Sequence, residues 1–141
     1  MKAIFVYIQR KKFSWKDLKM NKVFLSHAFN ETESDYIQLL KDELKSHGVQ
    51  IYETNHLEIK NDIISAIHDS INTSDLLIAF MIDNNLNVAY DVGYAMAKGK
   101  KVLIISADYS KIPFYLKTVP TILLHDYFDT SCDILSFVDN G

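Results

Sequence analysis

Short apolar runs alternate with amphipathic stretches along most of the chain, the pattern of an α/β domain on a mainly parallel sheet. Residues 22–26 carry Val23, Phe24 and Leu25 without interruption and predict a buried strand. Asn30 and Glu33 follow at capping-box spacing, and Tyr36, Ile37, Leu39, Leu40 and Leu44 recur at helical intervals until Gly48. Residues 49–52 predict a second strand. Asn55 and Glu58 repeat the cap spacing ahead of Ile59, Ile63, Ile64, Ile67 and Ile71, one face of a second helix. Residues 76–82 are apolar on both alternating sets of positions, as a strand covered on both faces must be. A third helix follows, with Asn84 or Asn85 as its cap and Val88, Val92, Ala95 and Met96 toward the sheet; Gly99 stops it, beside Lys98, Lys100 and Lys101. Residues 102–106 and 121–124 predict the fourth and fifth strands. Between them Pro113 starts and Pro120 ends a short helix, and residues 134–138 form a last one.

Five strands alternating with helices predict a flavodoxin-like three-layer sandwich with a mainly parallel five-stranded sheet. In such folds the ligand crevice lies beyond the carboxyl ends of the strands. That rule selects Ser26, His27 and Phe29 after the first strand and Glu53 and Asn55 after the second. Asp83, Asn84 and Asn87 follow the third strand, and Asp108 the fourth.

Composition narrows the class. With 141 residues, 48% of them apolar and 23% charged, the chain suits one buried core and excludes wholesale disorder. The net charge of −3 is unevenly spread: residues 1–20 hold six basic residues against Asp17, a formal +5, which leaves −8 for the rest. An acidic body of this kind disfavours nucleic acid as a partner. The charge step predicts a basic N-terminal appendage over residues 1–19 and a functional domain over 20–141, although residues 3–8 alternate in a way that favours an added edge strand. Trp15 could dock on the body. The single cysteine, Cys132, forms no internal disulfide, and the histidines show no metal-binding spacing. The longest early apolar run, residues 3–8, is too short for a signal segment or a membrane span, so the expected setting is cytoplasmic.

Several activities common to this architecture are excluded. The four glycines, Gly48, Gly93, Gly99 and Gly141, make neither GxGxxG nor GxxxxGK, so the dinucleotide and P-loop phosphate cradles are absent. The first strand ends in Ser26 and His27 rather than the acidic pair of a phospho-receiver. Adjacent residues of an extended segment point to opposite faces, so Ser26 and His27 do not make a nucleophile and base pair.

The most specific feature is the segment from Asn87 to Val102, with Val88, Tyr90, Asp91, Gly93, Tyr94, Ala95, Gly99 and Lys100 at fixed offsets. It resembles the NVx(Y/F)ExGYAxxxGKxV segment shared by bacterial Toll/interleukin-1 receptor (TIR)-like domains and nucleoside 2-deoxyribosyltransferase-like proteins. Residues 22–27 are similar to the first TIR strand and the loop after it, and residues 63–78 to an IxxAIxxSxxxSDxxI lead into the third strand. The resemblance spans residues 22–106. It implies that an acidic residue on the third helix, usually glutamate, acts on the anomeric carbon of a ribosyl group while an N-glycosidic bond breaks. Asp91 occupies that place, one methylene shorter.

The implied main activity is cleavage of the nicotinamide–ribose bond of NAD, by hydrolysis or cyclisation, in bacterial defence or signalling. NAD is then a substrate, and no cofactor or metal is implied. One alternative is a nucleoside or nucleotide deoxyribosyltransferase or N-glycosidase, and another a catalytically silent module that binds a nucleotide or a protein. The expected partners are a nucleotide or nucleoside ligand and a second copy of the chain, with no membrane. Asp91 is the expected catalytic residue. Ser26, His27, Phe29, Glu53, Asp83, Asn87, Tyr90 and Tyr94 are the expected substrate contacts, and Gly93 would permit close approach. Seven of these nine have a structural alternative. Asp91 would be an exposed helix acid favoured by the macrodipole, Ser26 and His27 a loop pair capping the first helix, Phe29 and Tyr90 core or rim aromatics, and Glu53 and Asp83 loop acids.

Overall fold

The computed structural model describes residues 6–8, 11–13, 21–28, 31–46, 48–54, 62–82 and 85–123. In chain order these form β1 (Val6–Ile8), β2 (Lys11–Phe13), β3 (Lys22–Ser26), α1 (Glu31–Ser46), β4 (Gln50–Glu53) and α2 (Ile63–Thr73). After them come β5 (Leu76–Phe80), α3 (Leu86–Ala97), β6 (Lys101–Ser106) and β7 (Thr121–Leu123). β3 to β7 build a five-stranded sheet in the order β4-β3-β5-β6-β7, with every neighbouring pair parallel. This is the flavodoxin-like winding, and its direction reverses beside β3, so the crevice opens beyond the carboxyl ends of β3 and β5.

Strand parity assigns the two helical layers. Val23, Leu25, Leu76, Ile78, Phe80, Leu103 and Ile105 meet Ile37, Leu40 and Leu44 of α1 on one face. Phe24, Leu77, Ala79, Val102 and Ile104 meet Ile67 and Ile71 of α2 and Val88, Val92 and Ala95 of α3 on the other. Each of the valine, leucine, isoleucine and phenylalanine side chains among them contributes roughly 1.5–3 kcal/mol when fully buried, which locks the helices to their faces. The stretch after β6 forms two short turns of 3₁₀ helix, Tyr109–Lys111 and Phe114–Leu116, with Pro113 ahead of the second. They add Ile112 and Leu116 to the α2/α3 side.

Some local expectations are corrected. The buried stripe of α3 is Val88, Asp91, Val92 and Ala95, and Met96, one position beyond it, is 42% exposed. α2 starts later than Asn55 and Glu58 imply: Asp62 is its cap and accepts from the backbone N–H of Ser65 at 2.8 Å. A short carboxylate next to the apolar run reaches that amide directly. Asn85 caps α3 by accepting from the amides of Asn87 and Val88. Gly48 and Gly99 end α1 and α3 with φ of 78° and 69°, the left-handed conformation glycine adopts without steric cost. A Cβ at Gly93 would meet nothing within 4 Å, so among the described residues no other backbone approaches closely there, and of the backbone or ligand expected at Gly93 the backbone is excluded.

β1 and β2 pair antiparallel, Val6 opposite Phe13 and Ile8 opposite Lys11, in a sheet of their own with β1 beside β7. The rest of residues 1–19, including Trp15, lies outside the described residues. So do Phe29, Asn30, Asn55, Glu58, Ile59, Asp83, Asn84, Cys132 and the helix expected over 134–138. Among the described residues no helix is long and apolar enough to cross a membrane.

Candidate active site

Asp91 sits on the sheet-facing stripe of α3, where the period of the helix would place an apolar residue, and is only 6% exposed. Its partner comes from the sheet. Ser26 is the last residue of β3, two positions beyond Phe24, so it points to the α2/α3 side. Its hydroxyl donates to Asp91 Oδ2 at 2.7 Å, a buried hydrogen bond across 65 residues of sequence. Burial pushes the Asp91 carboxyl above its ordinary pKa, and the Ser26 hydrogen bond and the nearby His68 act in the opposite direction without cancelling that effect. Neither the exposed helix acid nor the loop cap describes this pair.

The pair opens into a cleft of about 490 Å³. Thr54, one residue past β4, and Asn85 and Asn87 at the start of α3 supply polar lining, and His27 and Ala28 border it beyond β3. Ile63 and Ile64 of α2 and Leu86 and Tyr90 of α3 form an apolar lip, and all four are exposed at 45–84%.

His27 takes the opposite parity and turns toward α1. Its Nε2 lies 2.8 Å from Glu53 Oε2, and its Nδ1 lies 3.0 Å from the carbonyl oxygen of Ala28. Lys41 of α1 completes the group with an ion pair to Glu53 Oε1. Glu53 is 3% exposed and pairs in register with Leu25, which puts it on the α1 face. Burial alone would raise its pKa, but the hydrogen bonds and charges of Lys41 and His27 outweigh that and hold it below the usual range. Glu53 is therefore a buried, cation-paired strand residue outside the cleft lining, not a loop acid.

A third cluster covers the outer surface of α2 and α3. His68 stacks on Tyr94 with ring centroids 3.8 Å apart and planes 2° from parallel. Its Nε2 lies 2.7 Å from the Tyr90 hydroxyl. Asn72 donates to the Tyr94 hydroxyl at 2.8 Å, and the Lys98 ammonium stands 5.7 Å from the centre of the Tyr94 ring. Tyr94 is thus engaged with α2 and does not line the cleft, whereas Tyr90 and Asn87 do.

Of the nine expected site residues, the structure gathers Ser26, His27, Asn87, Tyr90 and Asp91 around one cleft and sets Glu53 and Tyr94 beside it. Phe29 and Asp83 lie outside the described residues. Lys41, Ile63, Ile64, His68 and Leu86 were not expected. His68 had one legible signal, since it follows Ile64 by one helical turn on a face otherwise read as core. Among the described residues no group of three His, Cys, Asp or Glu side chains is placed to hold a metal.

No family model and no curated protein matches the chain. Solved structures do. A CMP N-glycosidase from Clostridium botulinum is similar with a TM-score of 0.67 and 21% identity, over 86% of this chain and 100% of that one. A 2-deoxyribosyltransferase from Bacillus psychrosaccharolyticus has a TM-score of 0.62 and 17% identity, over 78% and 90%. A de novo designed Rossmann 2x3 fold protein reaches 0.54 at 21% identity, over 86% and 90%. The designed protein makes the limit plain: likeness at this identity concerns the fold. Of the two groups that the sequence pattern resembles, one has a member among these three structures, the 2-deoxyribosyltransferase.

Proposed function

We propose that this protein breaks the N-glycosidic bond of a nucleoside or nucleotide, with Asp91 as the carboxylate that acts at the anomeric carbon. One observation carries the reading. Asp91 is nearly fully buried at the cleft, Ser26 fixes one of its oxygens, and among the described residues Oδ1 has no hydrogen-bond donor. As the base departs, positive charge builds on the sugar, and a carboxylate held in a dry site can stabilise it or trap it as an ester. A desolvated carboxylate gains more from that charge than a hydrated one, because the local dielectric is low. The exposed apolar lip suits the faces of a base. The substrates in the names of the two similar enzymes, CMP and 2-deoxyribosides, support this class. NAD cleavage, which the TIR side of the resemblance implies, has the same carboxylate chemistry with nicotinamide as the leaving base.

The test incubates the protein with cytidine, uridine, adenosine, their 2′-deoxy forms, CMP and NAD, and resolves the products by chromatography. Release or exchange of a base from a nucleoside or nucleotide, lost by at least ~10³-fold in Asp91→Asn, is the expected result. Nicotinamide release alone would move the assignment to NAD. Binding without turnover would make the protein a silent module, for which the shortened carboxylate is the reason.

A further inference from the structure

We infer that Tyr90 and His68 form a proton relay to the departing base, an assignment that rests on the glycosidase reading above. Tyr90 lines the same cleft as Asp91 and is 48% exposed. Behind the phenol stands His68 Nε2 at 2.7 Å. The imidazole is not free to turn away, because Tyr94 lies flat against it at 3.8 Å, and Asn72 holds Tyr94 in turn. The spacing produces this arrangement. His68 and Asn72 stand four apart on α2, Tyr90 and Tyr94 four apart on α3, and the two pairs face each other. A surface stack needs no histidine at the hydroxyl of a tyrosine that lines the cleft.

The relay supplies what the carboxylate cannot. When the bond from the anomeric carbon to nitrogen breaks, both its electrons go to the base, which must take up a proton to leave as a neutral molecule. The Tyr90 hydroxyl gives that proton, its oxygen takes the Nε2 proton of His68, and the imidazolium becomes neutral imidazole. Asp91 meanwhile bonds to the anomeric carbon. Water then cleaves the ester, its hydroxyl going to the sugar and its proton to the Tyr90 oxygen as the phenol proton passes to His68 Nε2, and the Asp91 carboxylate is restored. His68 acts through Tyr90 and is a positioning and proton-supplying residue, whereas Tyr90 touches the substrate.

Leaving-group dependence tests the relay. 4-Nitrophenyl riboside loses its leaving group as 4-nitrophenolate, a stabilised anion that needs no proton, so it is compared with the natural substrate cleaved fastest in the product assay. Tyr90→Phe and His68→Gln should lower kcat on the natural substrate by ~10²-fold, the usual share of general acid catalysis, and leave the nitrophenyl substrate nearly unchanged. Equal losses on both substrates, or no loss on either, would overturn the relay while leaving Asp91 in place. Failure of the wild-type protein to cleave any of these substrates would instead overturn the glycosidase reading, and the relay with it.

Discussion

Asp91 and Glu53 are both buried carboxylates at the carboxyl edge of one sheet, yet they meet opposite surroundings. Glu53, on the α1 face, is held by Lys41 and His27, and its pKa falls despite burial. Asp91, on the α2/α3 face, receives one neutral hydroxyl from Ser26, and its pKa rises. A buried carboxylate bonded to a lysine ammonium and an imidazole is held as an ion, whereas one with a single neutral partner and a cleft before it is desolvated without a cation. Two positions of similar burial thus differ in their partners and in access to the cleft, and their pKa values move in opposite directions.

The largest expected effect comes from neutralising Asp91. Asp91→Asn keeps the shape, should abolish base release by at least ~10³-fold, and should leave the fold as stable as before or more so at neutral pH. A raised pKa means that the native state binds the proton more tightly than the unfolded one. Native stability therefore falls as pH climbs from the ordinary aspartate value of about 3.9 through the raised value. Thermal melts across pH should show that fall in the wild type and not in Asp91→Asn. A matched pH profile in both would mean that Asp91 is not desolvated in solution.

Glu53→Gln should do the reverse. Removing one partner of a buried ionic group leaves Lys41 and His27 uncompensated, at a cost of about 3 kcal/mol. Because the Glu53 pKa is lowered, its contribution is complete above the ordinary glutamate value of about 4.3 and is lost as pH falls through the lower folded value. Denaturant melts at pH 7 and below pH 4 should therefore differ between wild type and variant at the first and converge at the second. A variant as stable as wild type at pH 7 would erase the contrast between the two carboxylates.

Ser26→Ala probes the link between strand and carboxylate. It removes a hydrogen bond worth ~1 kcal/mol of stability, and it should slow turnover by roughly tenfold through a less fixed carboxylate. Since that bond holds the Asp91 pKa down, its loss should also move the acid limb of kcat/KM to higher pH. Asp91→Glu should have the smallest effect. The added methylene projects toward the 490 Å³ cleft rather than into packed core, so activity should be retained or raised and the melting midpoint little changed. Unfolding of this variant would show a tighter seat for Asp91 than the cleft implies.

Much of this arrangement was legible. The run through Val23, Phe24 and Leu25 forms β3, the apolar stretch after Asp75 forms the fully buried β5, and the winding follows from strict alternation of strands and helices. Adjacent Ser26 and His27 had to diverge, and they do, one to each helical layer. The helical period also gave Val88, Val92 and Ala95 as the buried face of α3 but wrongly added Met96. The reason is that a hydrophobicity pattern does not resolve the flanks of a stripe, where one position decides between core and water.

What the sequence by itself determined is therefore what short-range physics sets: backbone periodicity, strand parity, the stops at Gly48 and Gly99, and the end of the sheet where chemistry can lie. Only the tertiary structure decided that Asp91 is buried, that its partner is a serine 65 residues away, and that Glu53 is neutralised by Lys41 and His27. The same holds for His68 behind Tyr90. The pKa and reactivity of a carboxylate follow from its desolvation and from the charges within a few ångströms. Those neighbours come from β3, α1, β4 and α2, elements that are brought together only when the chain folds.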